Sequence, residues 1–346
     1  MTRIFTDGAE MGDILFWDLN NGVSAQAVSS GGYGAYVYQI YDAQDCTKFI
    51  PDTSECYTRV RFWCNDIYHV DGGDGVKLFS FRHDTTEIAR IGANSSNYFT
   101  AVVNGGTIAT GIRLLNDAQW YLLEIYFKMD NPSGRYILNV NGITDIDYTG
   151  NTTAGLTHFN RVIFGGQGTN WGHTTEYIDD LALNDTNNTD GKNDNSWCGD
   201  GFLVKITPSG SGTHNNWFNS GSVSGSSGYL YVDEYPKDDD TTYVYASGSS
   251  AGLQQQFAMS NDFDTTNKVI LRIYTEARAK RTGTQPSTIK IGFLPISGSD
   301  TFSSPVIPDM NIYTRITGDC AKINPATSAS WVKADIDGLE FINEIG

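Results

Sequence analysis

The chain has little of what builds a membrane, nucleic-acid-binding or disulfide-stapled protein. It holds 23 Lys and Arg against 40 Asp and Glu, a formal charge of −17, so no basic stripe exists to neutralise a phosphate backbone, and nucleic acid is not an expected partner. The densest apolar run, WYLLEIYF at 120–127, is far too short to span a bilayer, and the opening MTRIFTDGAEMGD lacks a basic stretch followed by an apolar one. No membrane partner and no secretion signal are expected, and synthesis in a cytoplasm fits. The five cysteines, Cys46, Cys56, Cys64, Cys198 and Cys320, form no CxxC pair, and an odd count leaves at least one thiol unpaired. Cys56 and Cys64 stand an even number of residues apart in a strand-like stretch, so they share a face and act there as small apolar residues.

What is present points to β structure. At 346 residues the chain exceeds the size at which one core stops growing, which predicts two domains of about 150 residues each. Period-two alternation split by Gly, Asn, Asp and Ser turns predicts strands at 13–19, 35–40, 57–63, 76–81, 86–91, 98–103 and 107–114. Asn104-Gly105 joins the last two, because Asn-Gly can take positive φ at both central positions of a type I′ turn. The stretch WYLLEIYFKMDNPSGRYILNVNG then predicts strands at 120–128 and 135–140, followed by a second Asn-Gly turn at Asn141-Gly142. Tyr121, Leu123, Ile125 and Phe127 fall on one face and are read as the core side; Leu122, Glu124, Tyr126 and Lys128 fall on the other. A strand at 161–164 and a last one in EYIDDLALND, lying beside the N-terminal strand, complete the first half. The fold class expected is all-β, two antiparallel β-sandwich domains over residues 1–188 and 202–346, with the polar segment 189–201 as linker. In the second domain KVILRIYTEARAKR is the strongest strand candidate.

The series W-YLLEIYFKMD, GRYILNVNG, HFNRVIFGG and YIDDLAL resembles the concanavalin A-like, laminin-G-like jelly roll over roughly residues 1–185. The opening RIFTDGAEMGD, and in the second half NSWCGDGFLVKITPSGSGTHNNWFNSG, YVDEYPKDDDTTYVYAS, ILRIYTEARAK and INPATSASWVKADIDGLEFINEI, resemble segments of tailed-bacteriophage virion proteins that carry this jelly roll. The resemblance implies a non-enzymatic structural protein of a phage particle, a capsid decoration or tail-associated protein on the virion surface. It implies other virion proteins as partners, in many copies or as a homo-oligomer. The alternative reading is a glycan-binding host adhesin on the particle, with host-surface glycan as partner; a polysaccharide depolymerase comes third.

A search for chemistry supports placing the enzyme last. A glycosidase on this fold would set carboxylates at i, i+2 and i+4 of one strand, where alternate side chains share a face. No such run occurs; Asp335, Asp337 and Glu340 come nearest, at the wrong spacing. GSSAG at 248–252 matches a nucleophile elbow around Ser250, but no helix pattern follows, and the last histidine, His214, lies upstream. No catalytic residue is therefore expected. Two acidic loops, with Asp71 and Asp74 in one and Asp179 and Asp180 in the other, have residue types suited to calcium, the one cofactor considered. Trp171, in the Gly-rich loop GTNWGHTT, is the aromatic placed to stack on a sugar ring.

Overall fold

The structure is a computed structural model, and it describes residues 3–10, 12, 14, 17–27, 36–41, 44–67, 76–165, 175–186, 197–221, 225–233, 240–246, 251–261, 263–266, 268–283, 288–318 and 320–346. The face predicted for the core in 119–128 is buried, Tyr121, Leu123, Ile125 and Phe127 each being at most 2% exposed, and on the other face Leu122 and Glu124 are buried too, at 6% and 8%. Among the described residues, fifteen strands build the first of two compact units, Met1–Leu203. In order they are β1 (Arg3–Asp7), β2 (Leu19–Asn21), β3 (Ser24–Ala27), β4 (Tyr36–Tyr41), β5 (Asp45–Thr53), β6 (Glu55–Cys64), β7 (Val76–His83) and β8 (Thr86–Ala93). They continue as β9 (Tyr98–Val103), β10 (Gly106–Leu114), β11 (Gln119–Lys128), β12 (Gly134–Val140), β13 (Ile143–Gly150), β14 (Phe159–Gly165) and β15 (Thr175–Asp185). Residues 17 and 18, predicted as strand, lie in a bend before β2.

Two antiparallel sheets stack as a jelly-roll sandwich. One runs β13-β12-β11-β6-β15-β4-β3, with β1 also paired to β15; the other runs β10-β9-β8-β7-β14-β5-β2. Both Asn-Gly pairs turn as their chemistry predicts, with φ of 49° and 75° at Asn104-Gly105 and 51° and 76° at Asn141-Gly142. The core lies between the sheets and is aromatic. Phe81 of one sheet stacks on Phe127 of the other with centroids 4.6 Å apart, and Phe159 packs against both. Burying such a ring contributes about 2–3 kcal/mol. All five cysteines are free, and all but Cys320 are buried.

Two edge strands of the sandwich are joined by one side chain. Asp145 of β13, 6% exposed, accepts the backbone amides of Ile112 and Arg113 of β10 through Oδ1, at 3.0 and 2.8 Å. Gly111 is required beside it, because a Cβ there would lie 1.9 Å from Asp145 Oδ2.

The second unit, Val204–Gly346, is also antiparallel β. Its largest sheet orders Pro208–Asn215, Gln254–Met259, Glu340–Ile345, Ile289–Leu294 and Thr301–Phe302. KVILRIYTEARAKR forms two isolated bridges, at Ile273 and Arg281, and the short strand Glu276–Ala279. The expected alternation is not kept: of the set Val269, Leu271, Ile273 and Thr275 the first two are exposed and Thr275 is buried. Ile270 and Ile273 pack on a small core around Trp331, while Val269 and Leu271 are 74% and 52% exposed. Asp335, Asp337 and Glu340 do not converge on one strand face: Lys333–Ile336 is a short helix, Asp335 accepts the Val332 amide, Asp337 pairs with Lys333, and Glu340 binds Thr213.

Residues 197–201, expected as the end of the linker, and 202–203, expected as the start of the second domain, belong to the first unit. Cys198 is buried and its thiol reaches the carbonyls of Tyr57 and Ala182, both at 3.5 Å. A Cβ on Gly8 would lie 2.8 Å from Leu203 Cδ1. A polar, unpatterned stretch reads as a linker; here its backbone serves as hydrogen-bonding material for the sheet beneath it.

Candidate functional site

The residues opposite the core on β11, β6 and β15 form the outer face of one sheet, and strand pairing arranges them in rows. Trp120 lies opposite Trp63, and Trp63 opposite Tyr177, which in turn faces Gln39. All four are half-buried. The Trp63 and Tyr177 rings are 4.9 Å apart, and with strands about 4.8 Å apart the three aromatics span roughly 10 Å across the sheet. The next rows are charged: Leu122, Arg61 and Asp179, then Glu124, Arg59 and Ala182. Beyond them Tyr126 stacks on Tyr57, centroids 4.6 Å apart, and Trp197 meets both edge-on.

The charges are fixed by a distortion of β15. Its register slips between Asp179 and Ala182, and Asp180 takes φ of 50°, the bulge geometry by which a strand re-aims a side chain. Asp180 Oδ2 thereby receives Arg61 Nε at 3.0 Å, and Oδ1 accepts the Leu203 amide at 2.7 Å. Arg61 also donates to Asp200 Oδ1 at 2.7 Å, while Arg59 donates to the carbonyls of Asp180 and Gly199 at 3.0 and 3.1 Å. Burial pushes the Asp180 carboxyl up to about 6, against the opposing pull of the Leu203 amide and the two guanidiniums. Burial also raises Glu124, with the Gly199 amide and Arg59 pulling the other way and Asp200 adding to the rise.

Beside this network lies a groove of about 320 Å³, lined by Arg61, Trp120, Leu122, Glu124, Asn141, Gly142 and Asp200. The Asn141-Gly142 turn forms one wall, held by Asn141 Oδ1 accepting the Leu122 amide at 2.8 Å. Asp200, its side chain 72% exposed, belongs to segment 197–203 on the other side. An indole, two carboxylates, a guanidinium and an amide thus converge on one concavity, the kind of lining that fixes a small polar ligand.

Of the residues singled out in the sequence, Asp179 and Asp180 lie at this site, in the middle of β15 and not at its entry. Asp180 has both carboxylate oxygens engaged by Arg61 and Leu203, and Asp179 Oδ1 accepts the Asp180 amide at 2.7 Å. Among the described residues no group of three or more His, Cys, Asp or Glu side chains is disposed to hold a metal ion. Asp71, Asp74, Trp171 and Ser250 lie outside the described residues. Trp120, Glu124, Arg61 and Asp200 were not singled out as a site. Alternation placed Glu124 off the core face, but its partners come from segments 63 residues upstream and 76 downstream, counted to Arg61 and Asp200.

These features define an antiparallel β-sandwich of jelly-roll type with a polar groove on one outer face. No protein-family model and no curated protein matches the sequence. Among solved structures the chain is similar to an endo-β-1,4-glucuronan lyase from the fungus Trichoderma reesei, at 13% identity and a TM-score of 0.41 over 54% of this chain and 96% of that one. It is similar to an alginate lyase at 13% identity and 0.38, over 54% and 98%. It is also similar to a carbohydrate esterase of the Shiga toxin-encoding bacteriophage phi24B at 14% and 0.38, over 53% and 97%.

The expectation of a non-enzymatic chain is corrected by these comparisons, since the similar structures include two lyases and an esterase. A carboxylate run on a single strand is not how this fold gathers carboxylates: Glu124 of β11 and Asp200 of the segment after β15 line the groove together, while Asp180 is held behind it by Arg61 and Leu203.

Proposed function

We propose that the outer face of the first unit binds a carbohydrate, with the sugar chain entering the groove from the aromatic row. The observation that carries this reading is the half-buried row Trp120–Trp63–Tyr177 ending in a groove walled by Glu124, Asp200 and Asn141. Indole and phenol rings offer flat apolar faces to the C–H side of a sugar, while carboxylates and amides exchange hydrogen bonds with its hydroxyls. The test is a glycan array probed with the protein and with Trp120→Ala. Saturable binding that Trp120→Ala removes supports the reading; equal binding by both proteins, or binding by neither, defeats it.

A second reading, cleavage of the bound glycan, is favoured by one observation. Glu124 lines the groove beside Asp200 with its carboxyl raised by burial, and a carboxyl shifted in that direction keeps its proton to higher pH than a free one, as a proton donor must. Depolymerisation of a glycan found on the array, abolished by Glu124→Gln with binding retained, would support it.

The resemblance of both halves to tailed-phage virion proteins supports a place for this face on the surface of a phage particle, where a host-surface glycan is the natural ligand and other virion proteins are neighbours. Gold labelling of purified particles tests the placement; particles free of the protein would refute it.

A further inference from the structure

We infer that the groove takes an uncharged glycan and refuses polyanionic ones; the inference rests on the carbohydrate reading above. The argument is the disposition of charge. Two guanidiniums, Arg59 and Arg61, face this side of the sheet with four carboxylates, Glu124, Asp179, Asp180 and Asp200.

Both cations are directed at the protein itself. Arg61 bridges Asp180 and Asp200, and Arg59 is spent on two backbone carbonyls. Farther out, Arg135 pairs with Asp147 and Lys128 with Asp130. A polyuronate or sulfated chain, with a negative charge on most residues, would have to lie beside Asp200 and Glu124 and displace Asp200 from Arg61. It would also approach a protein of net charge −17, whose long-range field lowers the encounter rate.

A neutral sugar meets the opposite situation. Its hydroxyls donate to Asp200 and Glu124 without moving a charge, and the Asn141 amide nitrogen is a donor, since Asn141 Oδ1 is already taken by Leu122. The apolar floor of Leu122 and Trp120 receives the ring face. The site therefore differs in substrate class from the glucuronan and alginate lyases named above.

The experiment immobilises neutral polymers (β-glucan, mannan, galactan) and anionic ones (alginate, polyglucuronate, heparan sulfate) and measures binding of the full chain at low salt and at about 0.15 M salt. Retention of a neutral polymer, unchanged by salt and weakened about tenfold or more by Trp120→Ala, is the expected result. Asp200→Lys should add binding to alginate or polyglucuronate at low salt; no gain counts against charge as the selector. Binding of an anionic polymer through Trp120, with neutral polymers refused, overturns this inference and leaves the carbohydrate reading standing. Binding of neither class removes both.

Discussion

Arg61 holds Asp180 through Nε at 3.0 Å, and the same guanidinium reaches Asp200 at 2.7 Å, so a single side chain joins the bulge of β15 to segment 197–203. The first contact is buried and the second is open to water, which separates their energetics. Removing the arginine takes away the ion pair of Asp180 and leaves Arg59 as its neighbouring cation, a change that costs up to about 3–5 kcal/mol where the carboxylate stays ionised. Arg61→Ala should therefore lower the denaturation midpoint strongly at pH 7 and less at pH 5, where Asp180 can protonate instead. Asp200→Asn, at the exposed end, should change stability by less than about 1 kcal/mol.

The pH dependence of the parent protein follows from the same carboxyl. Asp180 is raised by burial to about 6, so the folded state binds its proton more tightly than the unfolded chain does. Its contribution to stability is fully present below the unfolded value of about 3.9 and is lost as pH rises through 6. Glu124, raised by the same cause, acts in the same direction. Urea unfolding at pH 5, 6 and 7 should show Asp180→Asn losing less stability over that interval than the parent; parallel curves would sink the assignment.

The thiols make a chemical test of the fold. Cys46, Cys56, Cys64 and Cys198 are buried and Cys320 is half-exposed, and burial pushes the first three further from the reactive thiolate. An aromatic disulfide reagent at pH 8 should titrate one thiol quickly in the native protein and all five in denaturant. A second fast thiol, assigned by mass spectrometry to Cys198, would mean that segment 197–203 does not stay on the sheet.

Trp197 anchors that segment by its edge-on contacts with Tyr57 and Tyr126, 5.3 and 6.3 Å between centroids. Trp197→Ala should cost about 1–3 kcal/mol, from two aromatic pairs of about 0.5–1.5 kcal/mol each. Amide exchange should quicken at 197–203 while β8 and β9 keep their protection. A loss spread evenly over the sandwich would assign the tryptophan to the global core.

Asp145→Ala removes the charged acceptor shared by two part-buried amides and should cost about 1.5–3 kcal/mol, the range for hydrogen bonds to a charged group. Gly111→Ala should destabilise comparably, because the new methyl meets the carboxylate. Thermal melting of both variants and of the double variant checks the relation: less than additive loss is expected from residues in contact.

Much of the first unit was legible because its signals are local. Asn104-Gly105 and Asn141-Gly142 specify their own turns, and the alternation through Tyr121 to Phe127 specifies its own buried face. The second unit carries weaker signals. Val269 to Thr275 alternates as a strand would, yet only Ile273 finds a bridge partner, and partner availability is a property of the whole chain. The groove was illegible for the same reason: Arg61, Glu124 and Asp200 meet through strand pairing and a bulge, neither of which leaves a spacing on one segment. Segment 197–203 was misread because its glycines and polar residues look like solvent-facing chain, while here the Gly199 carbonyl accepts from Arg59 and the Leu203 amide donates to Asp180.

The Asp145 link bears on how these molecules behave when crowded. β10 is an edge strand of its sheet, and an edge with vacant amides is a template on which a second chain can add a strand. With the Ile112 and Arg113 amides already occupied by Asp145, an incoming strand meets a side chain where it needs donors. The exposed Ile112 and Leu114, 81% and 56% exposed, can then stand on that edge without recruiting another molecule into a growing sheet, so the same carboxylate that closes the sandwich also guards it against aggregation.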